Sequence, residues 1–166
     1  MLIELPIPWL IFVDVAAWFV IHMGVAWLGI RLSTHRFNHD SWLYRPRRWE
    51  QGGRAYERVL AIRRWKRMLP DGAALFSGGF RKANLGDADD AAYLERFRRE
   101  TCRAEAVHLV VFGCAALFFI WNPWPVGIVM IMYGALANLP CIAAQRYNRI
   151  RLGRVIAARQ RRAQCR

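Results

Sequence analysis

The residues Glu100-Thr-Cys-Arg-Ala-Glu-Ala-Val-His108 gather two carboxylates, a guanidinium, a thiol and an imidazole where a charged stretch runs into an apolar one. Ionisable groups at the edge of a membrane-spanning run are costly to hold, and cost of that kind marks a site. Glu105 and His108 are three apart and share a face if the stretch is helical. A carboxylate beside an imidazole raises its basicity and fixes its tautomer, as a general base near neutral pH requires. Such pairs also decorate ordinary helix surfaces, so the site depends on what else reaches it. A metal is the competing chemistry. A di-iron carboxylate bundle, however, needs two Glu-x-x-His motifs and further Glu ligands, and only Glu105/His108 with Glu100 is at hand, so no metal site is assigned.

Three apolar runs must position these groups. The runs, at about residues 6–30, 106–121 and 126–144, are each suited to crossing a bilayer as a helix. The first is interrupted by Asp14 and His22, which either line a polar path or satisfy each other and a helical partner. Glu4 stands where a signal peptide would be basic, so the run reads as a span and not as a leader. Asn122-Pro-Trp-Pro125 makes a turn between the second and third runs, with Trp121 and Trp124 as interfacial aromatics. Residues equidistant from that turn lie at equal depth. His108 and Asn138 are each about fifteen residues from its centre, or about 22 Å at 1.5 Å per residue, so the imidazole and the amide should meet. Pro140 cannot donate to the carbonyl of Leu136, which loosens the helix beside Asn138.

Between the first and second runs, Tyr56, Val59, Leu60, Trp65, Met68 and Leu69 recur at helical spacing among Arg54, Arg58, Arg63, Arg64, Lys66 and Arg67. That pattern predicts an amphipathic helix lying in the headgroup plane, ended by Leu69-Pro70-Asp71-Gly72. Ser77-Gly78-Gly79 reads as a turn. Asp87, Asp89 and Asp90 predict the start of a helix that continues unbroken to about Trp121. After residue 144 a basic tail follows, suited to a headgroup surface. The expected architecture is an all-α integral membrane protein of one domain, residues 1–166. Its parts are a first span (1–31), a cytoplasmic or interfacial segment (32–99), a hairpin carrying the site (100–148) and a basic tail (149–166).

Composition agrees. Of 166 residues 55% are hydrophobic, eight are Trp, and the net charge is +13. Such a balance fits nucleic acid or a small membrane protein obeying the positive-inside rule. The charges avoid the apolar runs and crowd one side, which favours the membrane and gives nucleic acid no role. The N-terminus is then outside and the dense Lys/Arg cytoplasmic. Four widely spaced cysteines form no CxxC pair and support neither a disulfide nor a zinc framework. His35 and Asp40 approximate an H-x4-D acyltransferase motif with the spacing one off.

Trp65-Lys66, Asp71-Gly72, Glu100-Thr101, Arg103-Ala104-Glu105, His108, Ala137-Asn138, Pro140, Gln145-Arg-Tyr-Asn-Arg149 and Arg151-Leu152 together resemble the glycosyl-4,4'-diaponeurosporenoate acyltransferases. The likeness covers about residues 60–152 and is loose in the first span, around Trp18 and Leu28-Gly29. It implies a bacterial cell-membrane enzyme that moves a fatty acyl group to a sugar hydroxyl of a carotenoid glucoside or related glycolipid. An acyl-CoA or acyl-carrier thioester would serve as co-substrate, with no resident cofactor. On this reading His108 is the general base, held by Glu105, and Arg103 or Asn138 steadies the oxyanion. Arg146, Arg149 and Arg151 would hold donor phosphates, and Glu100, Gln145, Tyr147, Asn148, Trp65, Lys66 and Asp71 would line the substrate site. The alternatives are a non-catalytic scaffold for lipid biosynthesis and a metal-dependent oxidative membrane enzyme.

Overall fold

A computed structural model of the chain describes residues 6–66, 68–69 and 91–165. The expectations for Asp71 and its turn, for Ser77-Gly78-Gly79, and for the Asp87/Asp89/Asp90 helix start lie outside these residues.

Helix α1 runs from Ile7 to Arg31, entered through the extended Pro6. It is apolar almost all round and turns only a narrow stripe inward: Asp14, Trp18 and Gly29 are buried, with Ala17, Ile21 and Val25 packed beside them. The remaining side chains, among them Ile11, Phe12, Val15, Phe19 and Val20, face outward. A water-facing helix would not expose such a surface, and α1 is one of three helices long and apolar enough to cross a membrane. Gly29 permits its close approach to the next long helix, because a Cβ there would lie 2.4 Å from Cγ2 of Val107. Trp18 stacks on Phe118 with ring centroids 4.6 Å apart and donates from Nε1 to the sulfur of Met130.

Asp14 and His22 do not pair. The buried carboxylate Oδ1 of Asp14 accepts from Trp121 Nε1 (2.8 Å) and Asn122 Nδ2 (2.7 Å), which ties α1 to the turn of the hairpin. His22 is occupied by the carbonyl of Trp18, 2.9 Å from its Nδ1. The expected Asp14–His22 pair is therefore not formed, because each group is satisfied elsewhere, Asp14 by the hairpin turn and His22 within α1.

The hairpin consists of α4, Ala91–Cys114, extended by a 3-10 segment Ala115–Ile120, and α5, Trp124–Gln164. Pro123 is extended and Pro125 sits in the first turn of α5, where a missing N–H costs nothing. Tightening to 3-10 lets Phe119 fold over Gly127, whose Cβ position would lie 2.4 Å from the Phe119 ring. As expected, the apolar run at 106–121 is the distal half of a longer helix, described from Ala91 onward. The third helix differs from expectation, because it does not stop at residue 144. It passes through Pro140 and spans 41 residues in all, about 60 Å. The expected tail is thus the far end of the same continuous helix.

The segment after α1 contains 3-10 turns at Thr34–Arg36 and Arg48–Gly53 and two short helices, α2 (Arg54–Leu60) and α3 (Ile62–Trp65). The single amphipathic helix expected over 54–69 is broken at Ala61, which adopts φ 45°. The break turns Tyr56 and Ile62 together onto Ala144, Tyr147 and Ile150 of α5, with Trp65 and Leu69 packed against them. Part of the apolar stripe therefore closes a core against protein, while Val59, Leu60 and Met68 stay exposed. Gly53, at φ 95°, begins α2 beneath Arg154, where a Cβ would come within 3.0 Å of a guanidinium nitrogen.

Replacing Asp14 tests the α1 clamp. Asp14→Ala leaves two buried donors unmet and should cost about 1–3 kcal/mol, read as a lower midpoint in denaturing-detergent titration. Asp14→Asn retains an amide oxygen that can accept both bonds and should stay near the original midpoint.

Candidate functional site

His108 and Asn138 meet as the depth argument requires: Nδ1 of the imidazole lies 2.9 Å from Oδ1 of the amide. The direction of this bond follows from the next one. Asn138 Nδ2 donates to the carbonyl of Gly134 at 2.9 Å, one turn back on α5. A carbonyl can only accept, so the amide nitrogen must point that way and the amide oxygen must face His108. Nδ1 of His108 therefore carries the proton, and Nε2 is the basic nitrogen. Asn138 is buried, and His108 is only partly so. Val107, next to His108, packs against Gly29 of α1, so all three long helices come close to the pair.

Glu105 does not support His108. Its oxygens accept from Arg146 Nη1 at 2.9 Å and Arg149 Nη2 at 2.5 Å. The reason is the lean of helical side chains toward the N-terminus of their own helix. On α4 that lean carries Glu105 and His108 alike toward the basic end of the bundle. On the antiparallel α5 it carries Arg146 and Arg149 the opposite way, up to meet the carboxylate. Sharing a face gave proximity of Cα atoms without contact of the functional groups.

Arg146 also donates through Nε to Oε1 of Glu50 at 2.9 Å. Glu50 is fully buried and accepts further bonds from Tyr56 Oη (2.6 Å) and from the backbone N–H of Arg47. Burial pushes its carboxyl up, but the hydrogen bonds from Arg146, Arg47 and Tyr56 outweigh this and hold it below the ordinary range. The Tyr56 phenol is pushed far up by the same burial and by its carboxylate partner. Arg146 and Arg149 further donate to the carbonyls of Leu43 and Tyr44, each at 3.0 Å. Two of the three expected phosphate-holding arginines, Arg146 and Arg149, are thus engaged internally, clasping residues 43–50 to the hairpin. Glu50 was not anticipated. A signal for it existed: between residues 32 and 66 there are three acids, Asp40, Glu50 and Glu57, in a stretch crowded with arginine. Each has a partner, Asp40 with His39, Glu50 as described, and Glu57 with Tyr147 Oη at 2.6 Å.

The other expected site residues lie at the same end. Glu100 and Arg103 form an ion pair at 2.5 Å and are both buried. Lys66 Nζ donates to Asn148 Oδ1 at 2.9 Å and stands 4.8 Å over the Tyr147 ring, and the Arg151 guanidinium covers the same ring at 5.7 Å. Trp65 Nε1 donates to the carbonyl of Leu60. Gln145 is partly buried and Arg151 exposed. His35 accepts from Arg99, while Asp40 meets His39, so the H-x4-D approximation does not assemble. Glu100 and Glu105, the carboxylates a di-metal centre would need, are paired with arginines. No group of three or more His, Cys, Asp or Glu side chains is gathered among the described residues.

The comparisons with known proteins follow this geometry. The family model for glycosyl-4,4'-diaponeurosporenoate acyltransferase matches residues 40–158, a region holding the clasp, the hairpin and the His108–Asn138 pair. Curated proteins of that name are similar over 147 residues. They include those of Staphylococcus aureus strains bovine RF122 / ET3-1 and USA300, each 27% identical, and strain Newman, 26% identical. In each case the alignment covers 89% of this chain and 88% of the relative. No solved structure matches. By the extent of the family match, the chain belongs to the glycosyl-4,4'-diaponeurosporenoate acyltransferase family.

Proposed function

We propose that the protein is a membrane acyltransferase that moves a fatty acyl group from a thioester donor to a sugar hydroxyl of a glycosylated carotenoid. The acyl-transfer class and the acceptor are supported by the family match and its relatives' names. The observation that carries the mechanism is the ordered chain Gly134 carbonyl, Asn138 amide, His108 imidazole, which leaves Nε2 of His108 as a base at the edge of an apolar bundle. Nε2 takes the proton of the sugar hydroxyl as its oxygen attacks the thioester carbonyl. The C–O bond forms, the tetrahedral intermediate collapses with cleavage of C–S, and the departing thiolate takes the proton back from His108. Asn138 holds the imidazole in the required tautomer, a role first assigned to Glu105.

The bundle crosses a bilayer with its tryptophan-lined turn outside and its arginine-rich end in the cytoplasm, in keeping with the positive-inside rule. His108 then lies just within the cytoplasmic leaflet, where a lipid-dissolved acceptor and a cytoplasmic donor can meet. Arg151, exposed at that end, adds to a cationic approach for an anionic donor.

The test is transfer of labelled acyl groups from acyl-CoA to a glucosylated carotenoid by purified protein in nanodiscs; no transfer from any acyl thioester overturns the reading. His108→Gln should lower kcat by about 10²–10⁴-fold with the unfolding midpoint unchanged, whereas full activity would remove the base assignment. Asn138→Asp places a carboxylate against Nδ1–H and favours the imidazolium, so the acid limb of the pH–rate profile should move to higher pH. Glu105→Gln should act differently. It leaves Arg146 and Arg149 short of a buried partner, and stability should fall by about 3–5 kcal/mol together with activity.

A further inference from the structure

Residues 42–49 form a loop whose construction has no purpose in the chemistry above. Four consecutive carbonyls accept from guanidinium groups: Trp42 from Arg47 within the loop (2.7 Å), and, facing α5, Leu43 from Arg146 (3.0 Å), Tyr44 from Arg149 (3.0 Å) and Arg45 from Arg146 (3.4 Å). With the polar backbone turned in, the side chains turn out. Trp42 is 69% exposed and Trp49 61%, with Leu43, Arg45 and Arg48 exposed between them and only Tyr44 buried. The Arg47 guanidinium lies 4.9 Å over the Trp42 ring. Trp49 lies 5.6 Å from the Tyr56 ring, yet in water two indoles this exposed on a short loop would be a liability. Irregular backbone can approach a bilayer only where its carbonyls are met by protein, and this loop meets that condition.

Its position agrees. The clasp partner Glu105 lies about 30 Å along the hairpin from Pro123, allowing for the longer 3-10 rise, which is the thickness of a hydrocarbon core. On α5 the exposed large apolar side chains run from Trp124 to Leu139 and stop there until Val155. The loop therefore sits where the apolar belt ends and the arginines begin. Trp9 and Trp124 mark the opposite rim.

We infer that the Trp42–Trp49 loop is a membrane-docking element whose occupant is the anionic headgroup layer of the leaflet bordering His108. Trp42, Leu43 and Trp49 enter the interface, where indoles are favoured, and Arg45 and Arg48 meet lipid phosphates. Because Arg146 and Arg149 hold both this loop and Glu105, docking also fixes the depth of the hairpin, and with it the height of His108, against the lipid surface. The inference rests on the proposed bilayer crossing and not on the chemistry at His108.

Hydroxyl-radical footprinting of the unmodified chain tests it, with one copy per nanodisc and peptide-resolved oxidation read against detergent-unfolded protein. In discs of phosphatidylcholine with phosphatidylglycerol, Trp42 and Trp49 should be protected to the same degree as Trp9 and Trp124. Their protection should weaken in phosphatidylcholine alone, while that of Trp9 and Trp124 should not change. Protection of Trp9 and Trp124 with Trp42 and Trp49 freely oxidised overturns the inference and leaves the crossing intact. Oxidation of all four overturns both. Protection of Trp42 and Trp49 that appears only when discs hold two copies shows a contact between chains and also overturns it.

Discussion

One buried carboxylate holds the structure together. Glu105 receives both Arg146 and Arg149, and it is the one carboxylate that Arg149 meets among the described residues. A buried ion pair adds little net stability over a well-packed apolar substitute, but removing one partner strands the other at a cost of several kcal/mol. Its effect is on arrangement. Through two arginines one carboxylate on α4 fixes the rotation of α5, and through their remaining donors it fixes residues 43–45 and Glu50. The basic end of the bundle is organised from that point outward.

The other end is organised by the corresponding device in miniature. Asp14 accepts from Trp121 and Asn122 and anchors α1 to the hairpin turn. Between these two polar locks the helices meet through small residues and rings, with Gly29 under Val107, Gly134 between Ala115 and Trp18, and Gly127 under Phe119. Helices in lipid gain little from apolar burial alone and rely on such close packing and on a few hydrogen bonds. The His108–Asn138 contact lies between the locks, so its geometry is inherited from both.

Arg146, Tyr147, Asn148 and Arg149 are bound to Glu50, Glu105, Glu57 and Lys66 at the basic end. The imidazole above them is partly exposed, with a basic nitrogen and a fixed tautomer. On the proposed reading an acyl-transfer site would benefit from that separation, because the charges that hold the scaffold are paired with one another and stay apart from the imidazole.

Sequence alone determined the number of apolar helices, the place of the turn and the equal depth of His108 and Asn138. Hydropathy adds up along the chain and helix rise is fixed, so levels can be counted before any fold is known. It did not determine which carboxylate meets which arginine. Many guanidinium groups are within reach of each acid, and the choice depends on the opposed lean of side chains on antiparallel helices and on the break at Ala61. Glu50 became a partner only because residues 42–53 fold back onto α5. The tautomer of His108 likewise depends on a carbonyl at Gly134 that no side-chain motif records. Tertiary structure decided these because hydrogen bonds are directional and short-ranged, and their partners are selected by the packing of backbones far apart in the chain.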